Sequence, residues 1–411
     1  MKHLLNLSLA LAGLIACPLA LADDSPQFRG PNRDGKYPEK GLLQAWPEGG
    51  PKLLWTADGI GLGYSSVSVA GDSIYVTGRG EDNIGRFYAL GLDGAIKWSL
   101  EYGPETASGQ GPAARSTPTI DGDRAYILSG PGLAMCIDLT KKAPLWSVNI
   151  VEEFKSLPTE WSLAESPLID GNKVFYTPGG PDASVVALDK MTGDTIWTSK
   201  GLSEAAAYCT PNLIEHGGRR MVVTMTAKSV VALDPETGAI LWTHEHPTKY
   251  DIHAVTPVYA DGMIYYTAGY KSGGGMLQLA SDGGSVTPKW SDMTLDCQHH
   301  GVVIVDGYVF GTSQTGKELV CLELATGKVM WETREVTQGN VVFADGMLYT
   351  YEGPQAGVVS LVKPSPAGFE RAGQFTITEG AAEHWAHPTI ANGVLYIRHG
   401  EKLFAYDVKA G

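Results

Sequence analysis

The sequence predicts an all-β fold, an eight-bladed β-propeller whose blades are four-stranded antiparallel sheets. The first observation is a unit that recurs about every 45 residues and is seen most fully from Val230 to Trp242. The second is a series of short turns between apolar strands, and the third is a tryptophan near the end of most units. Four-stranded units repeated at this period close into a ring of blades, which leaves few exposed sheet edges.

The recurring unit consists of two apolar, strand-like runs on either side of a polar turn that ends in Thr-Gly. Near-copies close at Trp197 and Trp331. Glycine after threonine suits a turn position with positive φ. Because tryptophan recurs once per unit, we expect it to pack one blade against the next rather than to bind a ligand. The series is Trp55, Trp98, Trp146, Trp197, Trp242, Trp290 and Trp331, with Phe375 near the eighth place.

The blades are counted by tight turns of the Asp-Gly or Asn-Gly kind, which favour two-residue β-hairpins. Eight such turns separate pairs of apolar strands, and they predict eight blades. Seven blades would result if one hairpin were an insertion. The turns are Gly71-Asp72, Asp121-Gly122, Asp170-Gly171, Asp261-Gly262, Asp306-Gly307, Asp345-Gly346, Asn392-Gly393 and the looser His216-Gly217-Gly218.

The two ends of the chain complement each other. The last unit runs from Lys402 to Val408 and stops before a tryptophan strand, whereas Leu53-Leu54-Trp55 stands before the first unit as a tryptophan strand without a beginning. We expect the strand from Leu53 to Thr56 to complete the C-terminal blade. The ring would then be sealed by the two ends of the chain, which removes exposed sheet edges.

Three segments are expected: a signal peptide at residues 1–22, an N-terminal arm at 23–50 that lies on the body of the fold, and the propeller at 51–411. A charged start, an apolar run and the Ala20-x-Ala22 pattern are typical of an exported, periplasmic protein. The alternative is a lipoprotein acylated at Cys17. No transmembrane span is expected, because no apolar run approaches the ~18 residues that a spanning helix needs.

Charge and cysteine content restrict the class of protein further. The net charge is −14, which argues against nucleic acid as a partner. We expect a monomer. The cysteines beyond residue 22 form no adjacent or Cys-x-x-Cys pair and are expected to be small buried thiols: Cys136, Cys209, Cys297 and Cys321.

The unit Ala-x-Asp-x-x-Thr-Gly-x-x-x-Trp resembles the pyrroloquinoline-quinone-like (PQQ-like) propeller repeat, and the resemblance covers essentially all of residues 51–411. That superfamily includes quinoprotein alcohol dehydrogenases, the propeller lipoprotein of the outer-membrane barrel-assembly machinery, and exported bacterial propellers without assigned function. The segment from Phe28 to Gly35 and the phrase His299-His300-Gly301 are most similar to the last group.

The resemblance to quinoproteins implies a disulfide between adjacent cysteines over the quinone, a calcium or lanthanide ion held by Glu, Asn and Asp, and an Asp base. This sequence has no adjacent cysteines and no Cys-x-x-Cys-His haem motif. We therefore do not expect PQQ, and we favour a binding or scaffolding module of the cell envelope whose ligand or partner binds at the mouth of the central channel. An envelope protein, a small molecule or a glycan would suit that site. The alternative is an oxidoreductase or metal-dependent enzyme that uses the same mouth.

The candidate site consists of polar residues that lead into the innermost strand of each blade. These strands line the channel, so the residues before them converge on one mouth. Two tryptophans outside the periodic series join them as candidates for stacking on a sugar or another planar ligand. The candidates are Arg115, Trp161, Glu165, Asp251, His253, His299, His300, Trp385 and His387.

Two chemistries are considered at this mouth, and no catalytic residue is assigned. His253, His300 and His387 could share a metal ion such as zinc or copper, or they could be hydrogen-bonded histidines that connect the blades. Neighbouring residues in a strand point to opposite faces, so His299 and His300 are not expected to act together. Arg115 and Glu165 could form an anion anchor with an acid/base pair, or a salt bridge between blades.

Overall fold

Eight antiparallel blades of four strands follow one another along the chain, and the arm adds a fifth, parallel strand to one of them, which confirms the eight-bladed propeller. The structure is a computed structural model that describes residues 24–353 and 356–411; the predicted signal peptide and Cys17 lie outside these residues. The tight turns join the first two strands of each sheet. At one of them, Asp261 and Gly262 have φ values of 51° and 76°. Positive φ at both central residues is what a two-residue hairpin requires.

The strands are numbered from the N-terminus, and blades 1 to 8 follow the order of the chain. The arm and the segment after it contribute β1 (Lys36–Tyr37) and β2 (Lys52–Ala57). Blades 1 and 2 contain β3 (Ser68–Ala70), β4 (Ser73–Arg79), β5 (Ile84–Gly91), β6 (Ile96–Pro104), β7 (Thr119–Asp121), β8 (Arg124–Leu128), β9 (Leu133–Asp138) and β10 (Ala143–Asn149). A short helix, α1 (Ile150–Glu153), follows β10.

Blades 3 to 5 are built in the same way. They contain β11 (Leu168–Asp170), β12 (Lys173–Tyr176), β13 (Val186–Asp189), β14 (Thr195–Thr198), β15 (Asn212–His216), β16 (Arg219–Met225), β17 (Ser229–Leu233), β18 (Ile240–Glu245), β19 (Val258–Ala260), β20 (Met263–Ala268), β21 (Gly273–Leu279) and β22 (Val286–Asp292).

Blades 6 to 8 complete the ring. They contain β23 (Val303–Val305), β24 (Tyr308–Ser313), β25 (Glu318–Glu323), β26 (Val329–Thr333), β27 (Gly339–Ala344), β28 (Met347–Glu352), β29 (Val358–Val362), β30 (Arg371–Thr376), β31 (Thr389–Ala391), β32 (Val394–His399) and β33 (Lys402–Asp407). Within the described residues, no helix is long and apolar enough to cross a membrane.

The ring closes as the sequence predicted. Strand β2 pairs antiparallel with β33, with Leu53 opposite Tyr406 and Trp55 opposite Ala405, so the N-terminal strand is the outermost strand of blade 8. One blade therefore contains both ends of the propeller. The closure gives blade 8 its fourth strand and joins the two ends of the propeller in one sheet.

The periodic tryptophans pack between blades, as predicted. The indole of Trp197 covers Gly238 in the Thr-Gly turn of the next blade and donates to the carbonyl of Pro235 at 3.1 Å. Trp146 does the same over Gly193 of blade 3. Glycine is required in this turn for two reasons: its φ is positive, and a Cβ would enter the indole ring. The apolar core lies between neighbouring sheets, in a cluster for each pair of blades.

The N-terminal arm does not simply lie on the body of the fold, because it passes into the central channel. Ser25 pairs with Val69 in the innermost strand of blade 1, and the carbonyl of Pro26 accepts from Ile120 in blade 2. Strand β1 then runs parallel to β27, the innermost strand of blade 7. The arm packs there because the unpaired edges of the inner strands offer it hydrogen-bonding partners, a position more specific than the sequence indicated.

Two arginines fix the arm inside the channel. Both Arg29 and Arg33 are fully buried. The Arg29 guanidinium donates to the carbonyl of Val302 at 2.6 Å, where the chain enters blade 6. The Arg33 guanidinium donates to carbonyl oxygens where the chain enters blades 3 and 4. The arm therefore closes the channel beneath the end where the innermost strands begin.

Candidate functional site

A pocket opens at the mouth of the channel, where the chain enters the innermost strands. Its volume is about 930 Å³, including the part that is open to solvent. Segments leading into every blade except blade 7 contribute to its walls, and Phe28 from the arm contributes from below. The convergence of the strand entries at one mouth, which the repeat predicted, thus forms a real cavity.

Aromatic side chains from six separate segments dominate the pocket. Tyr64 and Trp385 form one pair, with ring centroids 5.0 Å apart and planes tilted by 40°. Trp161 and Tyr208 form a second pair at 6.0 Å and 56°. The six aromatic residues are Phe28, Tyr64, Trp161, Tyr208, Tyr270 and Trp385.

Trp161 and Trp385 therefore lie where the sequence predicted, whereas Phe28 and Tyr270 were missed. Phe28 comes from the arm, which the sequence did not place in the channel, and Tyr270 lies beyond β20 rather than before an innermost strand. Tyr64 and Tyr208 occupy strand entries, and that position was the signal that could have identified them.

Arg115 is the one cationic side chain on the pocket wall in the described part of the chain. Its Nε donates to the carbonyl of Gly111 at 3.1 Å, and its Nη1 donates to the carbonyl of Ser162 at 3.1 Å. Its Nη2 bonds to Gly111 and Gln110 carbonyls. Backbone oxygens thus hold the guanidinium in place without neutralising its charge.

Arg115 and Glu165 do not form the predicted pair. Glu165 is buried behind the pocket and accepts a hydrogen bond from the backbone N–H of Thr177 at 2.6 Å. Burial raises its pKa to about 7, and the positive charge of Arg33 opposes that shift. Glu165 does not line the pocket. The salt bridge and the acid/base pair are therefore both absent from the described residues.

His387 lies on the pocket wall with both ring nitrogens engaged. Arg29 Nη1 lies 3.1 Å from Nδ1, and the carbonyl of His299 lies 3.1 Å from Nε2. A guanidinium can only donate, so Nδ1 must accept and Nε2 must carry the proton. Burial and the charge of Arg29 lower the pKa of His387 well below its usual value. The ring is thus held as one neutral tautomer.

His299 and His300 lie together, contrary to the expectation that they point apart. Their ring centroids are 4.0 Å apart, because the segment before β23 is not a strand and Gly301 turns the chain with φ of 73°. His299 lines the pocket, and burial lowers its pKa to about 4. His300 is fully buried beneath it, and neither of its ring nitrogens has a hydrogen-bond partner within the described residues.

His253 and Asp251 lie next to the pocket but do not face it. His253 is buried, and its Nε2 lies 3.0 Å from Nδ1 of His246. Burial lowers the pKa of His253 to about 3. Asp251 is exposed, with a φ of 55° in the turn before Ile252. The neighbours Ile252 and Ala254 supply the pocket lining instead.

The three histidines considered as metal ligands are not brought together. Across residues 24–353 and 356–411, no group of three His, Cys, Asp or Glu side chains is arranged to hold a metal ion. His253 is paired with His246, and the Nδ1 lone pair of His387 faces a guanidinium. The structural alternative, histidines that connect blade entries, describes these contacts.

The residues present do not fit the quinone site that the resemblance to dehydrogenases implies. All four cysteines in the described part of the chain are buried and free, and none is on the pocket wall. A disulfide between adjacent cysteines cannot form from them. Arg29 and Arg33 also occupy the channel directly below the pocket. No step through a quinone is derived for this site.

The closed ring of eight blades, the tryptophans that cover Thr-Gly turns, and the mouth pocket define the class: a β-propeller built from PQQ-like repeats. The profile of the family described as "Outer membrane protein assembly factor BamB" matches residues 83–333, more than half of the chain. The chain belongs to this family of PQQ-like propellers, as the repeat indicated.

Two curated proteins with similar sequences show that the family spans different roles. A quinoprotein ethanol dehydrogenase of Pseudomonas aeruginosa is 27% identical over 135 residues, which are 32% of this chain and 21% of that protein. An outer membrane protein assembly factor BamB of Kangiella koreensis is 27% identical over 144 residues, 34% of this chain and 32% of that protein. The chain thus matches no more than about a third of either relative's length.

Solved structures share the fold. BamB from Moraxella catarrhalis has a TM-score of 0.64 at 19% identity, and the alignment covers 87% of this chain and 99% of that one. A quinohemoprotein alcohol dehydrogenase from Comamonas testosteroni has a TM-score of 0.69 at 12% identity, covering 95% and 81%. At such identities the similarity shows the fold alone, and function has to be argued from the site.

Proposed function

We propose that this protein is a binding module of the cell envelope, and that its ligand occupies the pocket at the mouth of the propeller channel. One observation carries the proposal: the pocket is walled by six aromatic side chains and closed below by the arm. A concave, mostly apolar cavity with a few fixed polar groups is the usual form of a small-molecule site. A rigid ring with such a cavity binds without having to rearrange.

The ligand class that suits this wall is a molecule with saturated or planar rings, such as a glycan. The faces of Trp161 and Trp385 offer apolar contact to a ring. Gln110 and the hydroxyls of Tyr208 and Thr210 lie on the same wall and can exchange hydrogen bonds with ligand hydroxyl groups. Apolar ring faces combined with polar edges are what a sugar presents.

A ligand screen tests the proposal. Purified mature protein is titrated calorimetrically with ring-containing glycans and aromatic metabolites, alongside Trp161→Ala and the control Trp331→Phe. Trp331 packs at the outer edge of blade 6, away from the mouth. We expect a ligand whose affinity falls about tenfold or more in Trp161→Ala and stays unchanged in the control. Ligands that bind both variants equally, or a screen without binders, would contradict a site at the mouth.

Export to the envelope is part of the proposal. It rests on the Ala20-x-Ala22 pattern and on the family to which the chain belongs, whose description names an outer membrane assembly factor. Intact-mass analysis of protein recovered from a periplasmic fraction should show a chain that begins at residue 23. A chain that begins at an acylated Cys17 would support the lipoprotein alternative, and uncleaved protein in the cytoplasm would contradict export.

The alternative, an enzyme at the same mouth, makes a different prediction. An oxidoreductase or metal-dependent enzyme needs an acid, a base or a donor set at the pocket, whereas the titratable rings there, His299 and His387, are held neutral by burial. Metal analysis and an absorbance scan of the purified protein separate the two proposals. A stoichiometric metal or a bound chromophore would favour the enzyme.

A further inference from the structure

Arg115 carries a positive charge on the pocket wall that no carboxylate of the described residues neutralises by contact. Its N–H groups bond to the backbone carbonyls of Gln110, Gly111 and Ser162. Several arginines nearer the surface pair with acids, and Arg86, for example, contacts two carboxylates. The fully buried Arg29 and Arg33 also bond to backbone carbonyls, and Arg115 differs from them because it lines the pocket.

The acid whose field acts most on Arg115 is Glu105, and its oxygens are already engaged. One accepts from the hydroxyl of Tyr102 at 2.8 Å, and the other accepts from the backbone N–H of Thr106 at 2.7 Å and of Gly130 at 2.9 Å. Glu105 is therefore fixed in the wall between blades and does not reach into the pocket. Among the described residues that line the pocket, Arg115 is the one arginine or lysine, and no aspartate or glutamate lines it.

The backbone carbonyls also set the direction of the guanidinium. They use both hydrogens on Nη2 and the hydrogen on Nε, together with one of the two on Nη1. One Nη1 hydrogen stays available on a side chain that is already immobilised, so an anion can bind without the usual loss of side-chain freedom. This arrangement is a pre-organised anchor in a protein whose net charge is −14.

We propose that the mouth pocket selects an acidic sugar, a uronic acid residue whose carboxylate binds Arg115 while its ring packs against Trp161 or Trp385. The tryptophans supply the faces for the ring, and Arg115 is the single point of positive charge among the pocket residues. A charge-assisted hydrogen bond in a partly dehydrated cavity distinguishes a carboxylate from a neutral group of the same shape. Arg115 is thus the residue that determines specificity. This inference rests on the proposed glycan-binding function.

The test uses ligands that differ only in charge. Short oligosaccharides of galacturonic and of glucuronic acid are titrated against wild-type protein beside their methyl esters, which keep the ring and remove the charge. We expect the acids to bind at least about tenfold more tightly than the esters. In Arg115→Gln the difference should disappear, and in Arg115→Lys, which keeps the charge, part of it should return. Arg334→Gln, which alters an exposed arginine, is the matched control.

Each outcome separates the inference from the function on which it rests. Thermal denaturation first establishes that Arg115→Gln is folded; if it is not, the wild-type comparison of acid and ester decides alone. Equal binding of acids and esters by wild-type protein would overturn the selection of acids and leave glycan binding intact. If none of these oligosaccharides binds while a neutral glycan from the screen does, the inference again fails alone. If no glycan binds at all, both fail.

Discussion

Substitution of Arg33 tests whether the N-terminal arm stabilises the propeller from inside the channel. Its side chain is fully buried and donates to the carbonyls of Ser166 and Pro211 at 3.1 and 3.4 Å, and also to the carbonyl of Pro167. Arg33→Met keeps most of the volume and removes these hydrogen bonds, so the carbonyls of Ser166 and Pro211 lose the guanidinium, whereas that of Pro167 keeps a hydrogen bond from Thr119. Each buried carbonyl left unpaired costs about 1 kcal/mol or more.

The expected net loss in the free energy of unfolding is about 2–4 kcal/mol. The loss is limited because burial of the cation in the wild-type protein is itself unfavourable. This burial lowers the pKa of Arg33 to about 9. With an unfolding entropy of about 2 cal/mol/K per residue, a chain of this size loses roughly 3–5 °C in Tm. Differential scanning calorimetry at neutral pH measures the shift.

The control is Arg220→Met, which removes a more exposed arginine that pairs with Asp170 at the outer face of the hairpins. A surface ion pair is worth about 1 kcal/mol or less, so the Tm of this variant should fall by no more than about 1 °C. If Arg33→Met is as stable as wild type, or loses no more than the control, the arm does not hold the ring as described.

Three further predictions follow from the same contacts. Seven histidines have lowered pKa values and one acid, Glu165, has a raised one, so stability should fall as the pH drops from about 6.5 toward 4, by about 1.4 kcal/mol per pH unit for each net proton that the unfolded chain takes up, measured by urea denaturation at several pH values; the histidines are His244, His246, His253, His299, His300, His384 and His387. Unchanged stability at pH 5 would contradict their burial as neutral rings. Gly35→Ala should lower Tm by about 2 °C or more, because φ is +79° and the new Cβ would meet the Arg29 guanidinium; a wild-type Tm would refute this packing. Trp197→Ala should cost about 3–5 kcal/mol in chemical denaturation, because the indole leaves a cavity over Gly238; a loss below about 1 kcal/mol would mean that the tryptophan does not bind the blades together.

The sign of the pH effect is set by which state binds more protons. A histidine with a folded-state pKa near 4, such as His299, stays neutral in the fold while the unfolded chain takes up a proton below about pH 6.5. Stability is lost over that interval. Glu165 acts in the opposite direction between about 4.5 and 7, because the fold favours its protonated form. Glu165 offsets the effect of only one histidine, so a net loss of stability on acidification remains.

The fold could be predicted from the sequence because it is repetitive. Each unit carries the same local signals, the tight hairpin and the Thr-Gly turn, and these require only neighbouring residues to act. The closure by Trp55 followed from counting, since one strand was missing at one end and one was surplus at the other. Because the same local signals recur in eight units, they predict the number and the strand order of the blades.

The arm could not be placed from the sequence because its contacts are distant along the chain and chemically unexpected. Arg29 and Arg33 are residue types that are seldom fully buried, and nothing local marks them as interior. Their partners are backbone carbonyls, which carry no sequence signature. Phe28, which closes the pocket from below, was missed for the same reason.

The sequence indicated which segments form the pocket, but it did not indicate which side chains contact one another. Arg115, His299 and His387 precede inner strands, and all three line the pocket. Neighbouring residues in these segments point in different directions, so a shift of one position decides whether a side chain faces the pocket or lies between blades. Glu165 precedes the pocket residue Ser166 and is directed away, toward Thr177.

A crystal structure of the protein with its tightest-binding glycan tests the central claim most directly. We expect electron density for a sugar ring in the mouth pocket, against Trp161 or Trp385, with a carboxylate within hydrogen-bond distance of Arg115. Density for the ligand on an outer blade surface, with the mouth pocket filled by water alone, would contradict the claim that this cavity is the binding site.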